Sequence, residues 1–326
     1  MGQTPKVFID GEAGTTGLQI YTRLSQRDDI ELLSIDPDKR KDAATRSQLI
    51  NSADVAILCL PDAAAKEAVS FVSSPTVKIL DASTAHRTAG NWIYGFPELK
   101  SGQREAIAHS RWVSNPGCYP TGFLACLHPL IATNCLPETM PITINAISGY
   151  SGGGKKLIEQ YETAHAQNPG ATSTQPYGIY GLKFGHKHVK EMHQHSGLAH
   201  PPLFVPAVGD FAQGMLVQIP LPLWTLSDPP TGDTIHGILS THYQNEPFIT
   251  VMPLNDTAAL RNGNFLDSME ANETNLVQIF VFANDETQET LLIARLDNLG
   301  KGASGAAVQN LNIMLGYPED KGLSAR

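Results

Sequence analysis

The N-terminal stretch up to Gly17 limits the possible folds of this chain more than any other. The apolar run Lys6-Val-Phe-Ile-Asp10 predicts a buried strand, and Leu18, Tyr21 and Leu24 later repeat with helical spacing. Between them lies Gly11-Glu-Ala-Gly-Thr-Thr-Gly17. This order of strand, glycine-rich turn and helix lets backbone N–H groups bind a pyrophosphate at a helix N-terminus. The spacing G-x-x-G-x-x-G is a variant of the dinucleotide fingerprint, and a plain strand–helix turn is the alternative.

Strands and helices continue to alternate through the next segments. Strands are predicted at 30–36, 53–60 and 77–81, and a helix at 61–69. This alternation predicts an α/β fold with a Rossmann-type, doubly wound parallel sheet. Asp36 ends the second strand, where a carboxylate favours the ribose of NAD. The basic run Lys39-Arg-Lys41 could instead neutralise a 2′-phosphate, so we predict NADP(H), bound in part by Lys39 and Arg40.

The pattern changes from Pro141 onward. Residues 141–147 alternate with period two, and further strands are predicted at 203–208, 215–221, 248–251, 276–282 and 290–294. Asn284–Gln288 predicts the hairpin between the last two strands. This half is therefore expected to be α+β with a mixed or antiparallel sheet. A final helix carrying Ala307, Leu311, Met314 and Leu315 on one face is expected to return to the first domain, which gives domains at 1–117 plus 298–326 and at 118–297.

Length and composition narrow the class of protein. A chain of 326 residues is long enough for two domains. The net charge of −9 argues against a nucleic-acid surface and against binding to anionic lipid. No apolar run reaches membrane-spanning length, and the N-terminus lacks the apolar core of a signal peptide. The four cysteines show no C-x-x-C pair, which indicates a reducing, cytoplasmic compartment.

Cys118 is the candidate nucleophile. It follows a predicted strand at 111–113 and the tight turn Pro116-Gly117, and it precedes apolar positions with helical spacing. Cys118 is thus expected just before a helix N-terminus, where unpaired N–H groups and the helix dipole favour a thiolate. The alternative is a buried structural cysteine.

Four histidines lie close together in Gly185-His-Lys-His-Val-Lys-Glu-Met-His-Gln-His195. His188 and Glu191 have a spacing seen in metal sites, but no second cluster completes a ligand set, so no metal is predicted. A general acid or base is the better functional interpretation for His186 and His188, because imidazole titrates near neutral pH. His193 and His195 are interpreted as surface residues.

A second glycine-rich segment, Ser148–Lys156, follows the predicted strand at 141–147. It nearly matches a P-loop, but Lys156 occupies the position of the Ser or Thr that would hold Mg²⁺, so an NTPase function is possible but impaired. A thiolate, a proton-transferring histidine and a nicotinamide site together favour an acyl reductase that works through a thioester. A cysteine hydrolase would need no dinucleotide fold.

Six motifs occur together and in order. They are Gly11–Gly17, Asp81-Ala-Ser-Thr-Ala-His-Arg87, Tyr94-Gly-Phe-Pro-Glu-Leu99, Ser114-Asn-Pro-Gly-Cys-Tyr-Pro-Thr121, Gly185-His-Lys-His188 and Asn298-Leu-Gly-Lys-Gly-Ala-Ser-Gly305. With them the chain resembles the short type of the N-acetyl-gamma-glutamyl-phosphate reductase family over nearly its full length. The wider superfamily includes aspartate-semialdehyde dehydrogenase and phosphorylating glyceraldehyde-3-phosphate dehydrogenase.

The resemblance implies reduction of N-acetyl-L-glutamyl 5-phosphate by NADPH to the 5-semialdehyde, in arginine biosynthesis. It implies that Cys118 is the nucleophile and that His186 is the acid/base, with His188 as the nearby alternative. The implied substrate contacts are Arg87, Asn115, Ser148, Gly149 and His188. The implied cofactor contacts are Gly11, Gly14, Thr15, Thr16, Gly17, Lys39, Arg40, Ser83, Asn298 and Gly302.

Three alternatives remain open. A related semialdehyde dehydrogenase acting on aspartyl or aminoadipyl phosphate would share the fold and the Cys/His chemistry. A dinucleotide-binding sensor would keep the fold without catalysis, and a P-loop kinase would bind ATP instead of NADPH. A homo-oligomer, either a dimer or a tetramer, is expected through the strand-rich second domain.

Overall fold

The computed structural model describes residues 4–167 and 175–325 and shows two compact units. The first unit comprises Met1–Pro97, Ser101–Gly117 and Ala303–Leu323. The second comprises Glu98–Lys100, Cys118–Gly302 and Ser324–Arg326.

The first unit is built on a parallel sheet. Its strands are β1 (Lys6–Asp10), β2 (Glu31–Leu33), β3 (Val55–Leu58), β4 (Lys78–Asp81), β5 (Ile93–Tyr94) and β6 (Trp112–Ser114), in the order β2-β1-β3-β4-β6-β5. Its helices are α1 (Thr15–Leu24), α2 (Ala43–Ser52), α3 (Asp62–Ser70), α4 (Gln103–His109) and α9 (Gly305–Leu315). Every strand pair in this sheet is parallel, as the alternation of strands and helices predicts.

Both faces of this sheet are covered. Val7 and Ile9 pack in one apolar cluster with residues of α1, α4 and α9, whereas Phe8 between them packs in another with residues of α2 and α3. Successive strand side chains point to opposite faces, so these two clusters show that the sheet is doubly wound. The Rossmann-type fold is thereby confirmed.

The second unit carries a mixed sheet. Its strands are β7 (Thr143–Gly149), β8 (Tyr177–Ile179), β9 (Leu203–Gly209), β10 (Met215–Pro222), β11 (Ile249–Val251), β12 (Val277–Asn284) and β13 (Glu289–Leu296), in the order β11-β12-β13-β10-β7-β9-β8. Its helices are α5 (Cys118–Ala132), α6 (Lys155–Gln167), α7 (Lys187–Ser196) and α8 (Gly232–His242). The pairs β11–β12 and β7–β9 are parallel and the others are antiparallel, which confirms the α+β prediction.

Helix α5 lies at the centre of this unit and is buried on almost every side. It packs against α7, α8, β10 and β13. Gly122 permits this close packing, because a Cβ atom there would come within 2.8 Å of Val217 Cγ2 on β10. The helix that presents Cys118 is therefore fixed by the core and not by its own propensity.

Three predictions about elements need correction. The second strand ends at Leu33 and not at Asp36, because the Asp36 carboxylate caps a 3-10 turn over Pro37–Lys39 and Pro37 cannot donate to a sheet. Strands β5 and β8 were not predicted, because two or three residues are too short to show a period. Cys118 is the first residue of α5 and does not precede the helix.

Candidate active site

Cys118 opens the candidate site in the second unit. It is the first residue of α5 and is partly buried. The backbone of Gly302 lies directly against it, because a Cβ atom at position 302 would come within 2.9 Å of Cys118 Cβ. The N–H groups and the positive dipole end at the start of a helix stabilise a negative charge, so this position suits a thiolate.

Two tyrosines border the thiol. The Tyr180 hydroxyl donates to the Tyr119 hydroxyl at 3.1 Å, and the Tyr119 hydroxyl donates to the carbonyl of Ala207 at 3.3 Å. Burial is the main cause that raises the pKa of both phenols, with that of Tyr180 reaching about 12, and the nearby Cys118 charge contributes to both shifts. Both phenols are therefore neutral at physiological pH and can donate hydrogen bonds beside the thiol.

His186 approaches the same tyrosines from the other side. Its ring centroid lies 6.2 Å from that of Tyr119 and 5.8 Å from that of Tyr180. Phe204 and His188 complete the surroundings, with centroids 5.1 and 4.8 Å from the ring of His186. Burial, followed by the Lys187 charge, lowers the pKa of His186, and Glu191 opposes this shift. The structure thus brings Cys118, His186 and His188 to one aromatic cluster.

The glycine-rich segment after β7 does not form a phosphate-binding cradle. The backbone N–H groups of Gly149, Tyr150 and Ser151 donate to the carbonyls of Gly214, Phe211 and Ala212, respectively. A P-loop needs such N–H groups for phosphate oxygens, so the NTPase interpretation loses its physical basis.

Ser148, Gly149 and Asn298 belong to this same region. Asn298 accepts from the N–H of Gly214 and donates to Ser151 Oγ, both at hydrogen-bond distance (2.8 and 2.9 Å). Ser148 is buried, with its hydroxyl donating to the carbonyl of Gly149. These residues hold the two loops together, and their roles toward substrate and cofactor stay predictions.

In the first unit, the turn after β1 is shaped for a ligand's close approach. Gly11 has a φ of +92°, and a Cβ atom at Gly17 would come within 2.3 Å of the carbonyl oxygen of Gly11. Helix α1 begins at Thr15 with no side chain capping its first turn, in which Thr15 and Thr16 lie. A tight glycine turn at the carboxyl end of a strand, opening onto a bare helix N-terminus, fits a pyrophosphate group.

The residues predicted to select the cofactor surround this turn. Arg40 pairs with Glu12 at 2.8 Å, so the guanidinium is held beside the glycine turn. The carboxylate of Asp36 accepts from the N–H of Asp38 at 3.0 Å, which uses one of its oxygens. Lys39 ends the same 3-10 turn.

The loop after β4 is organised by Asp81. Its carboxylate accepts from the N–H and the hydroxyl of Ser83 and contacts His86 Nδ1 at 2.6 Å, while the ring of His86 stacks on Trp92 at 4.2 Å. Arg87, also buried, donates to the carbonyl of Ala82 at 3.1 Å. The loop is therefore rigid at the carboxyl edge of the sheet.

Asn115 has a structural position. Its amide donates to the carbonyl of Ala303 at 3.0 Å and accepts from the amide of Asn310 at 3.0 Å. Its predicted contact with substrate would have to use the remaining hydrogen-bonding capacity of the amide.

Sequence reasoning missed Tyr180 and Phe204, which lie outside every motif, and it passed over Tyr119, which is adjacent to Cys118. It also missed a buried ion pair in which Lys301 Nζ lies 2.7 Å from Glu98 Oε1. Within residues 4–167 and 175–325, no group of three or more His, Cys, Asp or Glu side chains is arranged to hold a metal ion. In that same part of the chain, no helix is long and apolar enough to cross a membrane.

Comparison with known proteins agrees with this geometry. Residues 6–109 match the family described as semialdehyde dehydrogenase, NAD binding domain, and residues 118–298 match semialdehyde dehydrogenase, dimerisation domain. The structure of aspartate semialdehyde dehydrogenase from Francisella tularensis covers 95% of this chain and 100% of its own, with a TM-score of 0.68 and 15% identity, which shows the shared fold.

Curated relatives are much closer in sequence. N-acetyl-gamma-glutamyl-phosphate reductase 2 of Nostoc sp. is 70% identical, over 98% of this chain and 99% of its own length. N-acetyl-gamma-glutamyl-phosphate reductase of Burkholderia cenocepacia is 50% identical, over 96% of this chain and 97% of its own. This chain is therefore an enzyme of the semialdehyde dehydrogenase type and belongs to the N-acetyl-gamma-glutamyl-phosphate reductase family.

Proposed function

We propose that the protein reduces N-acetyl-L-glutamyl 5-phosphate to N-acetyl-L-glutamate 5-semialdehyde and phosphate, with NADPH, in arginine biosynthesis. The observation that carries the proposal is the placement of Cys118 at the start of α5, in one aromatic cluster with His186. Relatives that bear this enzyme's name match nearly the whole chain and support the choice of substrate.

Cys118 supplies the covalent step. Its thiolate, stabilised by the N-terminus of α5, attacks the acyl carbon and displaces phosphate, which leaves a thioester. A bound nicotinamide supplies a hydride to the thioester carbon. The resulting oxyanion collapses, which breaks the carbon–sulfur bond, releases the aldehyde and returns the thiolate.

The residues around the cofactor and the substrate divide between the two units. In the first unit, Gly11, Gly14, Thr15, Thr16 and Gly17 bind the pyrophosphate, Lys39 and Arg40 bind a 2′-phosphate, and Ser83 lines the cofactor site. In the second unit, Asn298 and Gly302 form the nicotinamide side, and Ser148, Gly149 and His188 bind substrate. Arg87 and Asn115 add substrate contacts from the first unit. Lysine and arginine near a 2′-phosphate favour NADP over NAD.

We further propose that the protein is a cytoplasmic homo-oligomer. The family model matched by residues 118–298 is described as a dimerisation domain, which supports association through the second unit. A reducing compartment keeps a reactive thiol such as that of Cys118 in its active form.

The reverse reaction tests the function. Reduction of NADP⁺ is measured with N-acetylglutamate semialdehyde, with and without inorganic phosphate, beside aspartate semialdehyde. We expect phosphate-dependent turnover of the acetylated substrate alone. Turnover of aspartate semialdehyde instead would assign the related dehydrogenase activity, and turnover of neither with NADPH still bound would indicate a dinucleotide-binding sensor.

A further inference from the structure

His186 has an unusual position for a catalytic histidine, because its side chain caps a helix. It immediately precedes α7, with φ −56° and ψ 131°, and its Nδ1 atom accepts a hydrogen bond from the backbone N–H of His188 at 3.2 Å. Ser, Thr, Asp and Asn usually fill this role through a side-chain oxygen. Here one nitrogen of an imidazole takes it.

The cap fixes the position of the ring proton. A nitrogen that accepts from an N–H group uses its lone pair and carries no hydrogen itself. The neutral ring of His186 therefore holds its single proton on Nε2. Protonating Nδ1 would turn the acceptor into a donor facing the N–H of His188, which would remove the cap.

The surroundings also favour the neutral ring. Tyr119 of α5, Tyr180 after β8 and Phe204 of β9 pack around the imidazole as uncharged aromatic groups. On α7 itself the ring meets His188, and the charges of Lys187 and Glu191 oppose one another, with that of Lys187 the stronger. A buried imidazolium in this cluster would lose its hydration without a dedicated carboxylate partner among these groups.

We propose that His186 acts as a neutral hydrogen-bond donor through Nε2–H to the oxyanion formed at the substrate carbonyl, and that it is not the base that ionises Cys118. The identity of that oxyanion rests on the proposed function. The N-terminus of α5 then favours the thiolate without help from His186.

The chemistry balances without proton transfer by His186. Attack by the thiolate forms the sulfur–carbon bond, the carbon–oxygen bond to phosphate breaks, and phosphate leaves with the electron pair and takes its proton from solvent. Hydride addition moves the carbonyl electrons onto oxygen, and collapse of that oxyanion expels the thiolate. In each step Nε2–H donates a hydrogen bond to the oxygen that gains charge.

The first test determines the tautomer. Protein labelled with ¹⁵N-histidine is studied by two-bond ¹H–¹⁵N correlation near neutral pH, and the signals of His186 are identified by their loss in His186→Asn. We expect an unprotonated Nδ1 and a protonated Nε2. A proton on Nδ1, alone or together with Nε2–H, would overturn the proposal.

The second test separates a donor from a base. The rate of alkylation by iodoacetamide is measured against pH for the wild type and His186→Asn, with Cys118→Ser to subtract the other thiols. Asparagine keeps the cap of α7, so the helix is retained. We expect an unchanged midpoint for Cys118, whereas turnover falls by about 100-fold.

If His186 is the base, its loss would raise the midpoint of Cys118 alkylation by about one pH unit or more. That result would contradict the proposal, and His186→Ser, which also caps helices, repeats the test if His186→Asn does not fold. Neither measurement uses the acyl substrate. A failed assay with N-acetylglutamate semialdehyde would therefore reject the substrate assignment and leave the role of His186 standing.

Discussion

At the scale of single residues, the site depends on small distances around one sulfur atom. Cys118 starts α5, the backbone of Gly302 touches its Cβ, and the hydroxyls of Tyr119 and Tyr180 lie beside it. Each contact comes from a different part of the second unit. Local changes here should affect chemistry more than folding.

Substitution of the nucleophile is the simplest case. We expect Cys118→Ser to abolish turnover while the affinity for NADPH stays close to that of the wild type, because an alkoxide does not form at neutral pH. Steady-state kinetics and titration of NADPH fluorescence measure the two effects. Substantial residual activity of the serine variant would rule out covalent catalysis through Cys118.

Gly302 tests the packing against the thiol. An alanine there would place its Cβ 2.9 Å from Cys118 Cβ and 3.0 Å from the carbonyl oxygen of Asp297, so the turn or the cysteine must shift. We expect Gly302→Ala to lose most activity and about 1–3 kcal/mol of unfolding free energy. Gly90→Ala is the matched control, because a Cβ at Gly90 meets no atom within 4 Å. Equal activity in both variants would show that this packing is unimportant.

At the scale of elements, a buried ion pair ties two segments of the second unit together. Lys301 is 1% exposed and Glu98 is 3% exposed, and the ammonium also lies 5.5 Å from the ring centroid of Phe248. The carbonyl of Glu98 in addition contacts Nε2 of His242, at the end of α8. The turn over Gly300–Ser304 is therefore anchored in the core.

Breaking one side of the pair should be costly. We expect Lys301→Met to lower the free energy of unfolding by about 3–5 kcal/mol, because it leaves the Glu98 carboxylate buried without its ammonium. The double variant Glu98→Leu with Lys301→Met should recover most of this loss, because no buried charge remains. Urea denaturation measures both, and a double variant as unstable as the single one would refute this account.

The basic turn after β2 is the element expected to select the cofactor. Arg40→Ala should raise the KM for NADPH about tenfold, the effect of losing a charged hydrogen bond of roughly 1.5 kcal/mol, and leave that for NADH nearly unchanged. Lys66→Ala, which removes an exposed positive charge from α3, is the control. Equal changes for both cofactors would reject the assignment of the 2′-phosphate to Arg40.

At the scale of the whole molecule, the C-terminal segment of the first unit is held to its N-terminal part by charge. The Asp29 carboxylate binds Arg27 through two hydrogen bonds and Lys321 Nζ at 2.8 Å. The hydrogen bond from Arg27 is the main cause that lowers the pKa of Asp29 well below its ordinary value, with Lys321 adding to it against the effect of burial. The folded state therefore prefers the ionised carboxylate.

This preference predicts a dependence of stability on pH. Because the pKa is lower in the folded state, the stabilisation by Asp29 is complete above the unfolded pKa of about 4 and is lost as the pH falls below it. We expect Asp29→Asn to be less stable than the wild type at neutral pH, with the difference shrinking in acid. Thermal unfolding across this range measures it, beside Asp228→Asn, which removes an exposed carboxyl. A difference that does not change with pH would contradict the linkage.

The sequence by itself determined the features that depend on local patterns. The glycine turn after β1, the alternation of strands and helices, the hairpin after β12 and the position of Cys118 at a helix start all follow from periodicity and turn chemistry within a few residues. The motifs also sufficed to indicate the family, which the relatives confirm.

Only the tertiary structure decided how distant residues meet. Tyr180 and Phe204 reach His186 from strands that no motif marks, and Lys301 finds Glu98 across 203 positions of sequence. The hydrogen bond that places the proton of His186 on Nε2 depends on the exact start of α7, and the used N–H groups after β7 depend on a neighbouring loop. Such contacts are set by packing of the whole core, which no local pattern contains.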